Sequence, residues 1–99
     1  MKFEMLHPKE IEKIQKQKKA IIVDLREETS YLEFHYKSAI NIPYSENEIW
    51  LNRFRKNQVY ILYCDYGNIS LLAARKLAKK GIIVYTVIGG IRKMIDSRK

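Results

Sequence analysis

Three apolar stretches punctuate the chain: Ala20-Ile21-Ile22-Val23, Val59-Tyr60-Ile61-Leu62-Tyr63 and Ile82-Ile83-Val84-Tyr85-Thr86-Val87-Ile88. Each is short, rich in β-branched and aromatic side chains, and without polar alternation. Strands buried on both faces carry that signature, and such strands belong to parallel sheets. A shorter run, Ala39 to Pro43, predicts a strand closed by its proline, and Phe3 to Leu6 predicts an edge strand. Helical patterns fall between them. Pro8 opens a helix over 9–19 with Ile11 and Ile14 on one stripe. A short helix is predicted over 27–35. Ser45 and Glu48 have capping-box spacing ahead of a helix carrying Ile49, Trp50, Leu51 and Phe54. The strongest pattern runs from Ile69 to Lys80, with Leu72, Ala73, Leu77 and Ala78 on one face and Gly81 as the stop. A last helix follows Gly89-Gly90 and runs to the end.

Strands alternating with helices predict an α/β fold: a small three-layer domain whose central parallel sheet of four to five strands is flanked by helices. The 99 residues, 46% of them apolar, suffice for one such domain spanning 1–99. The N-terminus turns polar by His7, and no apolar run approaches the roughly 20 residues of a membrane span. A cytoplasmic protein with no membrane partner is expected. The net charge of +8 suits an anionic partner. Its lysines are spread along the chain, however, and no nucleic-acid reading module is present, so a solvated basic surface without a nucleic-acid partner is the expectation.

Ligands of parallel α/β sheets bind beyond the carboxyl ends of the strands. That rule selects Asp24-Leu25-Arg26, Cys64 to Asn68, and Gly89-Gly90. Cys64 is the chain's single cysteine, which excludes an internal disulfide and a multi-cysteine metal site. A lone cysteine is often only a small buried hydrophobe. This one directly follows a strand and precedes the best helix, in the loop Cys64-Asp65-Tyr66-Gly67-Asn68-Ile69-Ser70. A tight strand-to-helix turn aims backbone N–H groups inward, and the helix N-terminus adds about half a positive charge. Such a cradle stabilises a thiolate, the nucleophilic form of cysteine, or a small anion. Gly67 supplies backbone freedom in the turn, and Ser70 can cap the helix or offer its hydroxyl to the sulfur.

Four segments in order resemble the rhodanese-like family. Asp24-Leu25-Arg26-Glu27 is similar to its Asp-Val-Arg-Glu at the end of the second strand. His35 with Ala39-Ile40-Asn41-Ile42-Pro43 is similar to its Gly-His-Ile-Pro-Gly-Ala-Ile-Asn-Ile-Pro. Cys64-x-x-Gly67-x-x-Ser70 with Ala73-Ala74-x-x-Leu77 resembles its active loop and helix, and Gly89-Gly90-Ile91 resembles its final turn. The resemblance implies sulfur transfer: Cys64 takes the outer sulfur of thiosulfate or another donor as a persulfide and yields it to cyanide or a thiol. Substrate would contact residues Asp65 to Ser70, and neither a metal nor an organic cofactor is implied. The alternative is a non-catalytic binding module, or a persulfide carrier serving a partner protein.

The loop departs from the family's Cys-Arg-x-Gly-x-Arg-Ser/Thr: Asp65 and Ile69 replace the arginines. One unit charge at about 6 Å and an effective dielectric near 20 is worth on the order of 3 kcal/mol before screening. Slow thiosulfate turnover is therefore expected, with the backbone cradle intact. Arg92 and Lys93 are the candidates for restoring positive charge, while Asp24 with Arg26, and His35, are expected to be structural. A phosphatase or arsenate reductase of Cys-x5-Arg type would need arginine at position 70, where serine stands.

Overall fold

The computed structural model describes residues 2–96. Five strands, β1 (Glu4–Leu6), β2 (Ile21–Asp24), β3 (Ile40–Asn41), β4 (Val59–Tyr63) and β5 (Ile83–Val87), form one sheet in the order β1-β5-β4-β2-β3. Every pairing is parallel, as the two-sided apolar runs require. The helices are α1 (Ile11–Lys18), α2 (Glu28–Glu33), α3 (Asn68–Lys79) and α4 (Gly90–Asp96), with 3-10 turns at Pro8–Glu10 and Ile49–Arg53. The expected α/β architecture is thus present.

Alternation along the strands divides the core in two. Ile22, Ile61, Tyr63 and Val87 face α1 and α4, where Ile11, Ile91 and Met94 meet them. Val23, Tyr60, Leu62 and Val84 face the other way, onto Leu77 of α3 and onto Trp50, Leu51 and Phe54. The central strands β4 and β2 lie packed between the two layers. Their carboxyl ends, at Tyr63 and Asp24, lie in register side by side.

The predicted capping box does not form. Glu48 takes a left-handed conformation (φ 61°), and its carboxylate reaches Lys76 at 2.7 Å instead of the backbone. Asn47 Oδ1 accepts from the Ile49 amide, and Trp50 Nε1 donates to Ser45 O at 2.7 Å. Burying Trp50 under the sheet tightens the segment into a 3-10 turn, whereas a longer α-helix was expected. A reciprocal cap exists where none was foreseen: the His7 amide donates to Glu10 Oε1, and His7 Nδ1 accepts from the Lys9 amide. The predicted strand over 39–43 pairs only at Ile40–Asn41, after which the chain follows Leu25 through the Tyr44 amide. The end of the predicted last helix lies outside the described residues.

Ile61 lies at the sheet's centre and is wholly buried. Ile61→Ala should lower unfolding stability by about 2–5 kcal/mol, read as a reduced urea midpoint with an unchanged slope.

Candidate active site

The turn after β4 positions Cys64. Gly67, with φ 105°, ends the loop and starts α3, and its conformation swings two amides toward the sulfur. The Gly67 and Ser70 amides donate to Cys64 Sγ at 3.2 and 3.3 Å. Ser70 Oγ lies 3.6 Å from the sulfur, accepts from Thr86 Oγ1 at 2.8 Å and donates to Gly67 O at 3.2 Å. Cys64 is only 2% exposed, while Asp65, Tyr66 and Asn68 stand in solvent above it and Gly67 and Ile69 are half-buried.

The first turn of α4 secures this loop from below. The Ile91 amide donates to Cys64 O at 2.8 Å and the Arg92 amide to Asp65 O at 3.3 Å. A Cβ on Gly90 would stand 2.5 Å from both of those carbonyl oxygens, and one on Gly67 would stand 3.1 Å from the Gly89 amide nitrogen. Close backbone approach therefore requires glycine at 90 and 67, while Gly89 has φ 77° and faces the Lys93 side chain. All three segments singled out by the strand-end rule converge here.

Asp65 gives the loop over 64–70 a formal charge of −1 by itself, and the fold brings cations to it. Arg26, expected to serve only as a structural partner of Asp24, does that and more. Its Nε and Nη2 bind the buried Asp24 carboxylate, and Nη2 also donates to Phe34 O. Its Nη1 lies 3.8 Å from Asp65 Oδ1. Arg92, one of the two cations expected to compensate, sits with its guanidinium 5.9 Å from the Tyr66 ring centre. The formal charges of Asp24, Asp65, Arg26 and Arg92 thus balance around the loop. His35 stays out of the site's hydrogen bonds: Nδ1 bonds to Tyr31 O and the ring stacks on Tyr31.

Two supporting residues escaped sequence reasoning. Thr86 is the polar member of an apolar strand run, a signal that could have flagged its bond to Ser70. Tyr63 read simply as core. Its hydroxyl accepts from the Tyr36 amide at 2.9 Å. Burial and the neighbouring Asp24 carboxylate push its ionisation well above the ordinary tyrosine range, against the opposing pull of the Tyr36 amide.

A sequence model described as the rhodanese-like domain matches residues 7–97, nearly the whole chain. The chain belongs to the rhodanese-like family. A rhodanese-related protein from Thermoplasma volcanium superposes with a TM-score of 0.84 at 26% identity, covering 96% of this chain and 93% of that one. The thiosulfate sulfurtransferase GlpE of Coxiella burnetii is 29% identical over 76 residues, 76% of this chain and 71% of the relative. A tRNA sulfurtransferase of Pyrobaculum aerophilum is 34% identical over 68 residues, 69% of this chain. The rhodanese-like chain spans only 14% of that protein's length. Among the described residues no helix is long and apolar enough to cross a membrane.

Because folding raises the Tyr63 ionisation, the stability it contributes is complete below the unfolded value of roughly 10 and declines as pH rises beyond it. Urea unfolding between about pH 8 and 11 should show stability falling on the alkaline side. Tyr63→Phe should remove part of that fall.

Proposed function

We propose that this rhodanese-like domain is a sulfurtransferase that carries sulfane sulfur as a persulfide on Cys64. The observation that carries the reading is the paired donation from the Gly67 and Ser70 amides to Cys64 Sγ at a strand-to-helix turn. Donors already aimed at sulfur stabilise the thiolate without reorganisation, and the same cradle serves the anionic persulfide.

The steps balance without a cofactor. Cys64 thiolate attacks the outer sulfur of a donor; with thiosulfate, the new S–S bond forms as the donor's own breaks and sulfite leaves with the electron pair. A thiophilic acceptor, cyanide or a thiol, then attacks the terminal sulfur, and Cys64 departs as thiolate. Ser70 is arranged to assist. Since Thr86 already donates to its oxygen, the Ser70 proton is free to turn from Gly67 O toward the sulfur when negative charge develops there. Residues Asp65 to Ser70 form the wall a small donor must pass, given the burial of Cys64.

Asp65 decides between donors. Arg26 Nη1 faces it at 3.8 Å while Nε and Nη2 hold Asp24, so Arg26 is committed to two carboxylates and Arg92, over the Tyr66 ring, is left to meet a dianion. A persulfide handed over by a thiol or a partner protein suits this site better than free thiosulfate, which favours the carrier form of the activity. The similarity to proteins named tRNA sulfurtransferase adds RNA-directed sulfur transfer as a destination for the persulfide.

Intact mass after incubation with thiosulfate or a low-molecular-weight persulfide should show a one-sulfur adduct that Cys64→Ala abolishes. No adduct with either donor would refute the proposal. In a second measurement, Asp65→Arg should raise the rate of thiosulfate loading by about tenfold or more, given roughly 1.4 kcal/mol per decade. An unchanged rate would show that Arg26 and Arg92 already neutralise Asp65.

A further inference from the structure

Lysines that look scattered along the chain are gathered by the fold. From Ile49 to Lys80 the sequence holds seven lysines and arginines and one carboxylate, Asp65. That portion supplies the 3-10 turn and α3, the layer covering one face of the sheet. Lys56, Lys79 and Lys80 line one shallow concavity on this flank, and Arg75 and Lys79 line the next. Lys79 joins the two into one tract. Lys76 completes it, and its partner Glu48 is the carboxylate paired on this flank among the described residues. Lys76, by hydrogen bond and charge, holds the Glu48 carboxyl below its usual range, and the charges of Lys80 and Lys79 act in the same direction.

The tract exceeds what α3 requires. Cations in a helix's last turn offset its dipole, which accounts for Lys79 and Lys80 but not for Lys56 or Arg75. A protein partner usually meets a surface of interspersed signs. A tract mostly of one sign, whose carboxylate Glu48 is paired with Lys76, matches a uniformly charged phosphodiester backbone. The tract ends at the C-terminus of α3, whose N-terminus bears the Cys64 loop. Twelve residues at roughly 1.5 Å each separate the two by about 18 Å. Beside the sulfur stands Tyr66, 67% exposed and faced by Arg92, a surface on which an unpaired base can stack.

We propose that the flank formed by Lys56, Arg75, Lys76, Lys79 and Lys80 docks the backbone of RNA and holds it beside the Cys64 loop. The choice of RNA rests on the RNA-directed reading above; the surface itself does not. It departs from the expectation drawn from the linear sequence, because proximity in space and not along the chain makes a basic face.

Fluorescence anisotropy with an unmodified tRNA transcript tests it, with DNA of the same sequence and phosphatidylserine vesicles as the other arms. About five phosphate contacts to single-stranded RNA predict a log–log salt slope near −3.5. Replacing Lys56, Lys79 and Lys80 by Gln should reduce that slope by about two and weaken binding at least about tenfold at moderate salt. Replacing Lys13, Lys16 and Lys18 on α1 by Gln, an equal charge change on the opposite layer, should alter affinity by no more than about twofold. Equal losses from both triple variants, no RNA binding, or tighter binding to DNA or vesicles would overturn the proposal. Persulfide loading measured by mass on the Lys56/Lys79/Lys80 variant should match wild type. A failure of RNA binding with loading intact then counts against the surface alone, whereas absent loading counts against the sulfurtransferase reading.

Discussion

The buried carboxylate of Asp24 organises the carboxyl edge of the sheet. It has no solvent exposure and is held by the Arg26 amide and guanidinium. Removing one member of such a pair leaves a buried charge unmatched, typically at about 3–5 kcal/mol. The same guanidinium continues to Phe34 O and Asp65, while the backbone oxygen of Asp24 accepts from the Ile42 amide and from Asn41 Nδ2. The ion pair thereby ties β2 to the segment after α2 and to the loop after β4, and the Asp24 main chain ties it to β3.

The site grows from that edge by backbone economy. Two glycines with positive φ let the start of α4 approach the Cys64 loop closely enough for the Ile91 and Arg92 amides to hold its carbonyls. The loop's own amides are then free to face the sulfur. Side chains outside the loop finish the arrangement: Thr86 orients Ser70, and Tyr63 occupies the space between Asp24 and Tyr36. A cradle built from main-chain groups survives changes at positions 65 and 69 that would disable one built from arginine side chains. Such changes alter which donor is accepted while leaving the chemistry at sulfur in place.

Charge is distributed in the same divided manner as the core. The layer made of α1, α2 and α4 mixes acids with bases, whereas the α3 layer is almost wholly basic. The Cys64 loop opens at the sheet edge between the two layers, so a partner guided by charge would approach the sulfur from the α3 side.

The primary structure alone determined the parallel α/β architecture, because strands buried on both faces must be apolar throughout and helices must carry a stripe. It also determined the strand-to-helix position of Cys64 and marked Gly67 and Gly89-Gly90 as turns, since these depend on neighbours a few residues apart; that Gly67 and Gly90 have no room for a Cβ was decided by segments more than twenty residues away. Folding decided the rest through long-range contacts. Glu48 abandoned a local cap for Lys76, twenty-eight positions away. Arg26 met Asp65 across two strand ends, and Thr86 met Ser70 from the adjoining strand. Lys56 came to share a surface with Lys79 and Lys80. Periodicity reports the environment of a residue's own segment; electrostatic balance sums over segments that only the sheet order brings together.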